Sequence, residues 1–237
     1  MLETLLKLLL TSGGVKNATM LNALVAMLPK PLSECNALAI TTGSYINANG
    51  ADRAFRFFDG TATTPMVELG WASVGVLELT ALPSIGSERW LPWVEQADVI
   101  LVNGGDPLFL SYWMRESGFA AVLTQFEEKV YIGLSAGSMV MAPNIGEDFV
   151  GWRPPYGGDE TLSLVEFAMF PHLNHPELTE NTMAGAEQWA ASMSIPCYAL
   201  CDESAISVID GHVEVLSEGE WRCFPRPESE PSQKASV

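Results

Sequence analysis

Short apolar runs alternate with longer amphipathic stretches along this chain, the pattern of a mainly parallel sheet covered by helices. Lys7 to Thr11 predicts a first strand, and Ser12-Gly13-Gly14 a tight turn after it. A helix is expected from Asn17 to Leu28, stopped by Pro29, followed by a strand over Ala37-Leu38-Ala39-Ile40. Helical patterns near Asp52 to Phe58 and Pro65 to Trp71 lead to a strand at Val74 to Leu79, and Ser87 reads as the N-cap of a helix reaching Gln96. Asp98 to Val102 is the next strand. It runs into Asn103-Gly104-Gly105-Asp106-Pro107, where Asp106 suits an N-cap and Pro107 the first helical position.

The strand Val130-Tyr131-Ile132 ends in Gly133-Leu134-Ser135-Ala136-Gly137, with the apolar Met139, Val140 and Met141 behind it. Gly-x-Ser-x-Gly between a strand and a helix is the pattern of a nucleophile elbow, a turn so sharp that the residues flanking the serine must be small. An irregular stretch rich in Gly and Pro follows from Pro143 to Asp159, then a strand-like Leu162 to Phe170 and a helical Glu177 to Met193. Four short strands close the chain, at Cys197 to Leu200, Ala205 to Ile209, Val213 to Leu216 and Trp221 to Phe224, with Asp210-Gly211 as a hairpin turn. The expectation is one α/β domain over residues 1–224, a three-layer sandwich with a mainly parallel central sheet and a C-terminal β-hairpin. Residues 225–237 are polar, without core-forming content, and predict a disordered tail.

Composition narrows what such a domain can bind. Of 237 residues, 12 are basic and 29 acidic, giving a formal charge of −17. That balance argues against a nucleic-acid or anionic-membrane surface, whose affinity rests on basic groups. Met1 to Leu10 lacks the basic start of a signal peptide, is interrupted by Glu3 and Lys7, and precedes no long apolar run. A cytoplasmic protein is therefore expected. Cys35, Cys197, Cys201 and Cys223 show no metal or redox spacing and read as buried free thiols.

A serine nucleophile needs a base, and the chain has three histidines. His172, directly after an apolar strand in Phe170-Pro171-His172, is the first choice, and His175 the reserve; His212 follows a hairpin turn and should face solvent. A metal site on His172, His175 and Glu177 is the lesser reading, and no cofactor is needed. The carboxylate that orients the base has two candidate pairs: Glu147 and Asp148 after the elbow helix, and Asp202 and Glu203 at a strand end, which position favours. For an oxyanion hole, the Ala136 N–H should supply one donor and the Gly104-Gly105 loop the other.

The order Gly104-Gly105, Gly133-Leu134-Ser135-Ala136-Gly137-Ser138, Pro171-His172, Asp202-Glu203 resembles the S51 serine peptidases, the family of peptidase E and cyanophycinase, over nearly the whole chain. The short step from Ser135 to His172 suits that family and suits an α/β-hydrolase poorly, since there an acid and several elements intervene. The resemblance implies a fold like that of class I glutamine amidotransferases (flavodoxin-like), with serine in place of cysteine at the elbow. It implies Ser135 as nucleophile, His172 as base and Glu203 as acid, with Asp148 or Glu147 as alternatives. Gly105 (or Gly104) and Ala136 would be the oxyanion donors. The substrate would be a small peptide or related amide, and a homodimer is expected by resemblance alone. Specificity for an aspartyl side chain implies an arginine in the pocket. Asp106 and Arg153 are the substrate-binding candidates; Gly104-Gly105-Asp106-Pro107 departs from the Gly-Gly-Asn-Thr common in the family.

Overall fold

The structure is a computed structural model that describes residues 6–125 and 128–226. The predicted tail lies outside these residues from 227 onward. The N-terminal half runs β1 (Lys7–Thr11), α1 (Ala18–Met27), β2 (Asn36–Ile40), α2 (Gly50–Phe58), β3 (Ser73–Val76), α3 (Ser87–Gln96) and β4 (Val99–Val102). It continues through α4 (Pro107–Glu116), α5 (Phe119–Leu123), β5 (Val130–Leu134), α6 (Ala136–Met139), β6 (Ala168–Phe170) and α7 (Met183–Ser192). The chain ends in β7 (Cys197–Leu200), β8 (Ser204–Ile209), β9 (His212–Ser217) and β10 (Trp221–Phe224).

Seven strands form the main sheet in the order β3-β2-β4-β5-β1-β8-β9. From β3 to β1 every pairing is parallel; β8 and β9 are antiparallel. The inner strands are apolar on both faces because both faces are covered. Leu8, Leu10, Leu38, Ile40, Ile100, Val102 and Tyr131 bury one face against Trp90 and Val94 of α3 and Leu108, Leu110 and Met114 of α4. Leu9, Ala37, Ala39, Val99, Leu101, Val130 and Ile132 bury the other against Met20, Leu24 and Met27 of α1 and Phe57 of α2. That alternation of side chains along each strand makes the three layers.

A second sheet, β10-β7-β6, packs on α7 through Ala168, Phe170, Cys197 and Ala199 against Ala186, Trp189 and Met193. The chain crosses from this sheet to the main one between Leu200, the end of β7, and Ser204, the start of β8. The hairpin that follows turns on Asp210 and Gly211, both at positive φ (51° and 74°), as a two-residue hairpin turn requires.

Several elements are shorter than their patterns suggest, because their backbone groups find other partners. Pro65 to Trp71 forms only a 3-10 turn at Val67–Leu69, since Pro65 O accepts the Val15 N–H at 2.9 Å and Gly70 turns left-handed. The predicted strand from Val74 stops at Val76, and Leu79 enters a 3-10 helix with its N–H on Thr42 Oγ1. In the Leu162 to Phe170 run only Ala168–Phe170 is strand; the N–H groups of Leu162, Ser163 and Leu164 bond to carbonyls of residues 140–142 behind the elbow. The helix expected from Glu177 starts at Met183, capped by Thr182, and Gly86 rather than Ser87 flanks α3. Cys35 and Cys197 are buried, whereas Cys201 is half-buried and Cys223, on an edge strand, is exposed; none is in a disulfide. No helix among the described residues is long and apolar enough to cross a membrane.

Candidate active site

At the carboxyl end of β5 the backbone turns through Ser135 with φ 52° and ψ −113°, a conformation sparsely populated for any residue but glycine. The turn is held from all sides. Ser135 N–H donates to Thr11 O at 3.0 Å, and the Ser138 and Met139 N–H groups close on Ser135 O at 2.8 and 2.9 Å. Ser138 Oγ also donates to Thr11 O at 2.8 Å, and the buried Tyr131 hydroxyl donates to Gly137 O at 2.6 Å. A Cβ on Gly133 would lie 2.5 Å from Gly137 O, and one on Gly137 would lie 2.3 Å from Val102 O. Two glycines are therefore needed for strand β5, helix α6 and strand β4 to meet, which is the packing the pentapeptide pattern predicts.

Gly104 and Gly105 stand beside this serine, at the end of β4. The Gly104 Cα faces Ser135, since a Cβ there would sit 3.3 Å from Ser135 Cβ. The loop is braced from the end of β2: Ser44 Oγ donates to Gly104 O at 3.0 Å, and Gly43 O accepts the Asp106 N–H at 2.9 Å. Gly104 N–H is already used, donating to its neighbour Asn103 Oδ1 at 2.8 Å. The Gly105 and Ala136 N–H groups make no hydrogen bond among the described residues. Of the two glycines, Gly105 is thus the one with a donor to spare.

The base and its carboxylate come from the smaller sheet. His172 follows β6 and Asp202 follows β7, neighbouring parallel strands, so both sit at the same edge. His172 is itself left-handed, with φ 58°. Its Nδ1 lies 2.7 Å from Asp202 Oδ1, and Nε2 makes no hydrogen bond among the described residues. Ser12, next to the Thr11 that holds the elbow, joins the two halves. Its Oγ accepts the His172 N–H at 2.7 Å and donates to Leu200 O at 3.1 Å, with Asp202 Oδ1 3.4 Å away.

Glu203, the acid that the family resemblance implied, is not on the histidine. Its carboxylate and its carbonyl take the Nδ2 group of Asn17, at 3.2 and 2.9 Å. The difference lies in what faces each residue of the β7–β8 crossover: Asp202 lies over Ser12 and Gly13, and Glu203 faces Asn17. A Cβ on Gly13 would meet Asp202 Cγ at 2.5 Å, so that glycine makes the seat. Glu147 is on the surface paired with Arg153, and Asp148 beside it is exposed. Neither reaches His172, whose Nδ1 is already bonded.

Asp106 and Arg153, the substrate-binding candidates, both have partners within the chain. Asp106 Oδ1 caps α4 through the Phe109 N–H at 2.8 Å, and Oδ2 takes the Trp152 N–H at 2.9 Å. Arg153 is spent on Glu147. His175 has its Nε2 3.8 Å from Asp202 Oδ2, and His212 is exposed on its hairpin.

Two sheltered aspartates near the site are shifted in opposite directions for a clear reason. Burial raises the carboxyl of Asp106, and backbone N–H groups only partly oppose it. Burial raises Asp202 too, but hydrogen bonds and charge from His172 and Lys16 outweigh it and hold the group well below the usual carboxylate range. An ionised Asp202 accepts the Nδ1–H of His172, which leaves Nε2 as the imidazole's proton acceptor. The residues that sequence reasoning missed are Thr11, Ser12 and Lys16. Ser12-Gly13-Gly14 gave the signal of a turn at a strand end, and nothing in the pattern shows that its hydroxyl bridges two sheets.

Comparisons with known proteins bear on the family and the fold. The sequence model of Peptidase family S51 matches residues 61–216. An uncharacterized peptidase of Pasteurella multocida (strain Pm70) is 32% identical over 133 residues, 53% of this chain, so the chain spans 58% of that relative's length. Peptidase E of Haemophilus influenzae (strain PittGG) is 25% identical over 234 residues, covering 92% of this chain and 91% of that one. The crystal structure of a peptidase from an acI-B1 Actinobacterium superposes with a TM-score of 0.66 at 14% identity, covering 94% of this chain and 95% of that one, a likeness of fold.

Proposed function

The chain belongs to peptidase family S51, and we propose that it is a serine peptidase of small peptides in which Ser135, His172 and Asp202 act together. The observation that carries the reading is the Asp202–His172 pair, 2.7 Å apart, tied through Ser12 to the strand that holds a left-handed serine. Ser135 Oγ attacks the scissile carbonyl, and His172 Nε2 takes its proton. Asp202 keeps the proton on Nδ1 and stabilises the imidazolium. The Gly105 and Ala136 N–H groups receive the oxyanion. His172 then protonates the leaving amine, and water hydrolyses the acyl-enzyme. The Ser135–His172 hydrogen bond forms in the substrate complex, since catalytic hydrogen bonds are often long in free enzymes.

For substrate class, the helix that follows the Gly104-Gly105 loop carries an aromatic cluster. Phe109 and Tyr112 of α4 stack edge-to-face on Trp152 with ring centroids 5.3 and 5.4 Å apart. We take this cluster to favour peptides with an apolar side chain over aspartyl ones. Ser135→Ala should lower turnover by about a millionfold while melting as wild type does. A dipeptide library with free and aspartyl members, assayed beside a fluorophosphonate probe, tests both parts. Turnover retained in Ser135→Ala, or a wild-type Ser135 that the probe fails to label, would sink the mechanism; a clear preference for aspartyl peptides would sink the substrate class.

A further inference from the structure

We propose that Lys16 is a positioning residue of this site, its ammonium fixing Asp202 in the rotamer that presents Oδ1 to His172. The inference rests on the roles given above to Ser135, His172 and Asp202. Lys16 lies in the loop between β1 and α1, and its Nζ is 2.9 Å from Asp202 Oδ2, on the oxygen that His172 does not use. The next residue, Asn17, caps α1 through the Met20 N–H at 3.0 Å and holds Glu203 with its Nδ2 group. The dipeptide Lys16-Asn17 therefore sorts two adjacent acids: lysine takes the one that faces the histidine, and asparagine turns the other away.

The pair is well enough sheltered for this to matter, the Lys16 and Asp202 side chains being 21% and 15% exposed. Ion pairs with that shelter are screened less than surface ones. The groups facing Asp202 are His172 on Oδ1, Lys16 on Oδ2, His175 with Nε2 3.8 Å from Oδ2, and the neutral Ser12 hydroxyl. His175 Nδ1 accepts the Glu177 N–H at 3.2 Å, so the neutral ring carries its proton on Nε2, toward Asp202. Glu203, next in sequence, faces Asn17. Lys16 thus supplies the permanent positive charge at the carboxylate.

Two separable consequences follow from its removal. Asp202 gains freedom to rotate, which slows the proton transfer that depends on a fixed imidazole. The negative charge of Asp202 also becomes uncompensated, which favours a proton on the imidazole and moves the acid limb of the activity profile to higher pH. A purely structural lysine would give neither limb movement nor its reversal by another cation.

The test is the rate at which a fluorophosphonate labels Ser135 between pH 4 and 9, a reaction that needs the base and oxyanion hole but no known substrate. K16M should label at least tenfold more slowly on the plateau, with its acid limb higher by roughly half a pH unit or more. K16R should return both to wild-type values. A folded K16M with the wild-type rate and limb overturns the proposal, as does a K16R limb displaced like that of K16M. If circular dichroism shows K16M unfolded, K16Q decides in its place by the same criteria. A wild-type protein that is not labelled at Ser135 at any pH overturns the underlying triad and Lys16's role with it, an outcome that the K16M comparison cannot mimic.

Discussion

The main sheet and the smaller one each bring half of the site, and they hold their halves by different means. At the ends of β4 and β5, Ser135, Gly105 and Ala136 are fixed by backbone: carbonyls close on N–H groups, and glycines let three segments touch. At the ends of β6 and β7, His172 and Asp202 are fixed by side chains, with Ser12, Lys16 and each other as partners. A backbone-built half changes shape when a Cβ is added. A side-chain-built half changes when a proton or a charge is moved. The two therefore fail under different substitutions, which makes the division testable.

The largest effect is expected where the side-chain half meets the chemistry. Asp202→Asn removes the acceptor that selects the His172 tautomer and should lower kcat by about a thousandfold to ten-thousandfold. Glu203→Gln, one residue on, should stay within about threefold of wild type, because it disturbs only the Asn17 contact. The reverse ranking in steady-state kinetics would restore Glu203 as the acid. The same pair reads out in stability. Burial raises the Asp202 carboxyl, but the hydrogen bonds and charges of His172 and Lys16 win and depress it. A depressed folded value contributes stability above the unfolded value, about 3.9, and loses it as pH falls toward the folded one. The gap in melting temperature between wild type and Asp202→Asn should accordingly be widest near neutrality and narrow below about pH 4. A gap unchanged from pH 7 to pH 3 would contradict the ion pairs.

In the backbone half, Gly105→Ala should lower kcat by about a hundredfold and cost about 2 kcal/mol or more of stability. Gly105 has φ 135°, and a Cβ there would lie 2.1 Å from Gly43 O, so the loop must move and take its free N–H with it. Gly118→Ala is the control. That glycine is also left-handed, at φ 77°, but nothing lies within 4 Å of its missing Cβ. It should lose about 1 kcal/mol in chemical denaturation and leave kcat untouched. Equal kinetic losses in the two variants would mean that strain, and not the position of the Gly105 N–H, sets the rate.

The same division explains what the chain disclosed before its structure. Gly133, Ser135 and Gly137 are separated by single residues, and the steric demand that spaces them is local, so the sharp turn at Ser135 could be read directly. The apolar strands were readable for a similar reason, since each inner strand is buried on both faces. The choice between Asp202 and Glu203 was not local. It depends on the space over Gly13, on Lys16 and on Asn17, all nearly the whole chain away. Asp106 was half legible for a related reason: its place as an N-cap was readable, but the second oxygen's bond to Trp152 N–H is made by a distant loop.

Ser12 is where the two halves meet, and its removal should have the smallest effect of the three. Its hydroxyl accepts the His172 N–H and donates to Leu200 O, so Ser12→Ala leaves the His172 N–H without that partner and removes one of two bonds to Leu200 O, which keeps the Leu173 N–H. Each lost bond costs about 1 kcal/mol, giving a stability loss of roughly 1–3 kcal/mol. The His172–Asp202 bond and the Thr11 carbonyl that holds Ser135 both remain. The parts therefore stay intact while their spacing loosens, and kcat should fall about tenfold to thirtyfold, in keeping with a small misplacement of a catalytic group. Because each half is preserved, the pH profile should keep its shape, unlike that of a Lys16 variant. A fall as deep as that of Asp202→Asn would mean that Ser12 acts on the imidazole itself, and no fall at all would mean that the two sheets are held in register by their other contacts.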